Sequence, residues 1–135
     1  MLENAIKELP LQSADEAWLV VDRDQWTTES LKRVHAWCQK TPNAHLALSN
    51  PKFEFWLLLH FEDGSKCKSA YQCTTRLKKF IPNYDKSICQ RHFPKDKVKD
   101  AILRAKIIDT PQCADWPKTV GTTVYRLVES IIHSS

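Results

Sequence analysis

Two largely apolar runs, Ala17-Trp-Leu-Val-Val-Asp22 and Ala44-His-Leu-Ala-Leu-Ser49, flank a helix-patterned stretch, and this alternation restricts what the chain can fold into. A buried strand, a helix and a second buried strand imply parallel pairing through a right-handed crossover. Both runs are apolar at nearly every position, as in central strands covered on both faces. Between them, residues 28–40 place Leu31, Val34, Trp37 and Cys38 on one helical stripe, and Thr41-Pro-Asn43 breaks the helix. The rest reads as helical over 2–8, 51–61, 68–80, 95–108 and 121–133. The expectation is one α/β domain over residues 1–135, with a Rossmann-like parallel sheet core and a helical carboxyl-terminal half. Two central-type strands are few for such a sheet, so we expect an amino-terminal portion with further strands to be absent from this sequence.

The first strand runs directly into Asp22-Arg-Asp24. Side chains two apart on a strand share a side, so Asp22 and Asp24 should face together, at the sheet end where open α/β folds bind ligands. Two carboxylates this close repel unless a cation offsets both charges. Mg²⁺, or Mn²⁺, suits such a pair, because Mg²⁺ takes oxygen ligands and often needs only one or two protein carboxylates. The plainer alternative is a polar turn in which Asp24, Thr27 or Thr28 caps the next helix.

A second landmark is Ser49-Asn-Pro-Lys-Phe-Glu-Phe-Trp-Leu-Leu-Leu-His-Phe61. Asn50 is suited to cap a helix and Pro51 to open it, and the helix beyond is apolar nearly all round. Glu54 is the exception, and burying a carboxylate is costly without a cation, a metal or several donors. Because this helix leaves the second strand's carboxyl end, Glu54 should emerge near the Asp22 crevice. Against that stands a simpler role, complementing the positive end of the helix dipole.

Charge is unevenly distributed. Residues 1–63 carry six Lys/Arg and ten Asp/Glu, residues 64–106 carry twelve and three, and residues 107–135 carry two and three. The middle block is therefore strongly basic, with Tyr71, Phe80, Tyr84 and Phe93 interleaved. Lys78, Lys79, Lys86, Arg91 and Lys97 are the candidate contacts to a nucleic-acid backbone, although a lysine-rich face also serves solubility.

Composition excludes several classes. Apolar runs such as Phe55–Leu59 are far too short to span a bilayer, and no signal-peptide pattern opens the chain. Five cysteines without a C-x-x-C pair fit neither a disulfide framework nor a zinc knuckle. We expect reduced thiols, a cytoplasmic location and no membrane contact. The five histidines show no ligand spacing.

Val20-Val-Asp-Arg-Asp24, Leu48 to Phe61, Tyr84-Asp-Lys86, Ala101-Ile-Leu-Arg-Ala-Lys106 and Thr122-Thr-Val-Tyr-Arg-Leu-Val-Glu129 together resemble the RloB-like family, over about residues 15–131. The long second motif is specific, whereas Asp-x-Asp by itself is weak. The resemblance implies a Toprim-related fold and a metal-dependent nuclease of a bacterial phage-defence or abortive-infection system. Asp22 and Asp24 match the Mg²⁺-binding Asp-x-Asp, and a partner ATPase or other defence protein is implied. The Toprim pattern also has a glutamate after its first strand, and that strand is missing here. Either the chain is a carboxyl-terminal fragment or another chain supplies the acid, and Glu54 is the nearby candidate for a catalytic acid or base. Lys52 stands where the family leads one to expect a smaller residue. The competing expectation is a non-catalytic nucleic-acid- or protein-binding remnant of the same fold, with self-association through uncovered strand edges.

Overall fold

The computed structural model describes residues 16–134. The helix expected over 2–8 lies outside them.

Strand β1 (Ala17–Asp22) leads through a short 3₁₀ turn, Arg23–Gln25, into helix α1 (Thr28–Lys40) and then β2 (Ala44–Asn50). The Thr27 hydroxyl accepts from the Ser30 N–H and so caps α1, which presents Leu31, Val34 and Cys38 to the interior. β1 and β2 pair in parallel, with Ala17 opposite Ala44 and Asp22 opposite Ser49. The expected strand–helix–strand unit is therefore present.

The carboxyl-terminal half is helical, as expected. It comprises α2 (Glu54–Leu58), α3 (Ala70–Phe80), α4 (Lys95–Ile108) and α5 (Val124–Ser134). Before α5 the chain adds β3 (Gly121–Thr122), antiparallel to the end of β2. The sheet is thus mixed, in the order β1-β2-β3, which corrects the expectation of a purely parallel core. A two-residue strand has no periodicity, so only its hydrogen bonds reveal it. Thr123 Oγ1 accepts from the Leu48 N–H, and Ser49 Oγ and Thr122 Oγ1 lie 2.8 Å apart.

Successive β2 side chains enter opposite cores. Leu46 and Leu48 join Val21, Leu31, Val34 and Trp116 beneath α1. Ala47 joins Phe55, Leu58, Leu77, Ala101 and Tyr125 beneath the later helices. β2 is the doubly covered strand that its sequence announced. β1 is not, because Val20 is 46% exposed; among the described residues β1 is the outermost strand, and only Val21 of it is buried.

Two further expectations are corrected. Asn50 does not cap α2, because it extends β2 opposite Gly121 and its side-chain amide donates to the Pro117 carbonyl at 3.0 Å. Regular α-helix consequently starts at Glu54 rather than Pro51, and turn bonds continue it to Glu62. The cysteines are not all reduced either: Cys67 and Cys73 form a disulfide with their Cα atoms 5.5 Å apart. Cys38, Cys89 and Cys113 are free thiols. The fold brings a pair six apart in sequence together where Gly64, at φ +78°, turns the chain beneath Phe55.

Candidate functional site

Because β1 and β2 are parallel, their carboxyl ends open on one side of the sheet, and α2 starts there. Asp22, the last residue of β1, bridges them. Its Oδ1 accepts the Phe53 N–H at 2.9 Å, supplying from another strand the cap that α2 lacks locally. Burial is the main cause that raises the Asp22 carboxyl above the usual aspartate range. The Glu54 charge adds to that, while the Phe53 bond, Lys86 and Lys52 oppose it.

Glu54 is 2% exposed. Its Oε2 accepts from Tyr84 Oη at 2.5 Å and from Lys86 Nζ at 2.8 Å. Its Oε1 is the buried side-chain polar atom, among the described residues, that has no hydrogen-bond partner. Burial acts to raise this carboxyl, yet the bonds from Lys86 and Tyr84 prevail and hold it below the usual glutamate range. In return, burial and the Glu54 bond raise the Tyr84 hydroxyl far above its ordinary value, so Tyr84 keeps its proton. Lys86 reaches this carboxylate from solvent: its side chain is 69% exposed, and its φ of +82° is unusual for a residue with a side chain. Lys52 lies at the mouth of α2, and its ammonium donates to Thr74 Oγ1 on α3.

The structure thus brings together Asp22, Glu54, Tyr84, Lys86 and Lys52. Asp24 is placed differently from expectation. β1 ends at Asp22, so the alternation that would have put both aspartates on one side stops there, and Asp24 is an exposed residue of the 3₁₀ turn. Its N–H donates to the Pro51 carbonyl at 3.1 Å, which ties the turn to the start of α2. Asp22 is coupled electrostatically to Glu54 instead. Tyr84 was missed as a partner of Glu54; its place two residues before Lys86 was the available signal.

Among the described residues, no group of three or more His, Cys, Asp or Glu side chains is arranged to hold a metal ion. A closed protein cage is therefore not what these residues form. Asp22 and Glu54, one oxygen of which is unpartnered, fit the other mode, in which Mg²⁺ keeps most of its waters and takes one or two carboxylates plus phosphate oxygens.

Of the remaining basic candidates, Lys78 and Lys79 are exposed in the last turn of α3, and Arg91 is exposed in a 3₁₀ turn, Gln90–His92. Lys97 lies in the first turn of α4, with its ammonium 5.2 Å from the centre of the Phe61 ring. No described helix is long and apolar enough to cross a membrane.

The family model described as RloB-like protein matches residues 1–131. No match is found among curated proteins or among solved structures.

Proposed function

The chain belongs to the RloB-like family, and from that premise we propose that the crevice at the carboxyl ends of β1 and β2 is a phosphodiester-cleaving site dependent on Mg²⁺ or Mn²⁺. The supporting observation is the unpartnered, buried Glu54 Oε1 beside an Asp22 carboxyl whose ionisation burial and Glu54 both oppose. A divalent cation held by these two carboxylates would offset that repulsion and would satisfy the unpartnered oxygen. When bound, it supplies Lewis-acid stabilisation of the phosphate or a more acidic water. Asp22 and Glu54 would hold it, while Asp24 stays exposed in the turn that follows β1. Lys52 and Lys86 supply positive charge for the phosphate oxygens, and Tyr84 fixes the Glu54 carboxylate while retaining its own proton. Lys86 would compete with the cation for Glu54, and because its side chain is 69% exposed it could turn from carboxylate to phosphate at little packing cost. A Toprim-related ancestry, a role in phage defence or abortive infection, a cytoplasmic location and a partner ATPase or other defence protein are parts of the same proposal.

One observation favours a second reading, a nucleic-acid-binding module without catalysis: Lys86 and Tyr84 already satisfy one oxygen of Glu54 and hold its pKa down. Incubating the chain with labelled DNA and RNA in Mg²⁺, Mn²⁺ or EDTA separates the two. We expect cleavage that needs the metal and is lost in Asp22→Ala and in Glu54→Gln. Binding without cleavage under every condition would leave the binding module.

A further inference from the structure

The basic block carries an aromatic feature that the crevice does not use. Phe61, at the end of the turns that extend α2, and Phe80, the last residue of α3, stack with ring centres 5.0 Å apart and planes 11° from parallel. Phe93 meets the edge of Phe61 at 5.8 Å and 61°, and is itself backed by the buried His60 at 4.9 Å. One face of Phe80 is thereby covered and its position fixed, yet the residue remains 42% exposed. Single exposed apolar side chains are ordinary. This one is the outer member of a braced stack whose elements also carry cations. Lys79 precedes it, Lys97 lies over Phe61, and Arg91 belongs to the turn that leads into Phe93. Lys79, Lys97 and Arg91 make no ion pair with any described residue.

We propose that the outer face of Phe80 is a stacking platform for an unpaired base, and that the substrate of this chain is single-stranded nucleic acid. Base–aromatic stacking tolerates any base, because each has a π-face, and surrounding lysines and arginines track the phosphates. A duplex keeps its bases within its own stack and cannot offer one to Phe80. A preformed ring stack also lowers the ordering cost of binding. The inference rests on the reading of the crevice as a phosphodiester site, and the same elements join the two. Glu54 and Phe61 are seven residues apart on one helical path, about 10 Å or roughly three stacked nucleotides. Tyr84, the partner of Glu54, follows Phe80 by four residues.

The test is fluorescence anisotropy of labelled oligo-dT, oligo-rU and a mixed-sequence duplex of equal length with the full chain in EDTA, so that catalysis plays no part. Tighter binding of either single strand than of the duplex is expected, and which of dT and rU binds better identifies the sugar. Phe80→Leu keeps apolar packing without a flat ring and should weaken single-strand binding about tenfold to hundredfold, the effect of losing one stack. Phe80→Tyr should retain it. Circular dichroism of each variant confirms that the fold is kept. Equal affinity for duplex and single strands, or wild-type affinity in folded Phe80→Leu, would overturn the platform. Metal binding by Asp22 and Glu54, measured separately, would still stand or fall independently.

Discussion

At the scale of single residues, Asp22 does two jobs that pull in opposite directions. Its Oδ1 completes the hydrogen bonding of the Phe53 N–H, while its charge sits beside Glu54 in a partly desolvated crevice. The folded-state pKa is raised, so the carboxyl's contribution to stability is fully present below its ordinary value of 3.8 and is lost as pH rises through the folded value. At neutral pH the ionised side chain therefore opposes folding. Asp22→Asn keeps the acceptor and removes the charge, so we expect a higher thermal midpoint at pH 7 and no gain near pH 3. Asp22→Ala removes the acceptor too, and should lose about 1 kcal/mol, the size of a missing helix cap. Thermal unfolding at both pH values checks this. Glu54 has the reverse sign. Its folded pKa is depressed, so its contribution is present above 4.5 and lost as pH falls through the folded value. Buried His60 adds to acid sensitivity: its pKa is lowered, mainly by burial, so stability falls as pH drops below 6.5 toward the folded value.

At the scale of elements, the loop between α2 and α3 is held by the Cys67–Cys73 disulfide and by paired bonds from Arg76 to Glu62 at 2.7 and 2.9 Å. Denatured protein kept oxidised should show three reactive thiols, those of Cys38, Cys89 and Cys113, and five after reduction. Reduction should lower stability by roughly 2 kcal/mol, from the small loop that is closed. Five reactive thiols before reduction would mean that the bond does not form in solution. The sequence disclosed β1, α1, β2 and most later helices, because their apolar spacing is regular over many residues. It failed where a neighbour from elsewhere decides. Asn50 looked like a cap but pairs with Gly121; Asp24 looked like a partner of Asp22 but lies beyond the strand; Cys67 and Cys73 carry no spacing signal. The burial of Glu54 was legible from its apolar surroundings, whereas its contact with Tyr84 depends on how the 81–86 loop returns to α2.

For the molecule as a whole, the two ends of the charge distribution meet at the crevice: the acidic pair comes from β1 and α2, and Lys86 reaches it from the basic block, joined by Lys52 from the start of α2. If that block tracks a phosphate backbone, affinity should fall steeply with salt, with a log-log slope of roughly −0.7 to −0.9 for each neutralised contact. Lys78→Ala with Lys79→Ala should flatten that slope by about one to two contacts, with metal binding unchanged. A slope that does not move would make these lysines a solvated face. The central claim, that Asp22 and Glu54 together hold a divalent cation, is most directly measured by titrating Mn²⁺ into the folded protein and following free Mn²⁺ by electron paramagnetic resonance. Saturable binding is expected in the wild type and strong loss in both Asp22→Asn and Glu54→Gln. Equal binding by wild type and both variants, or none in the wild type, would contradict it.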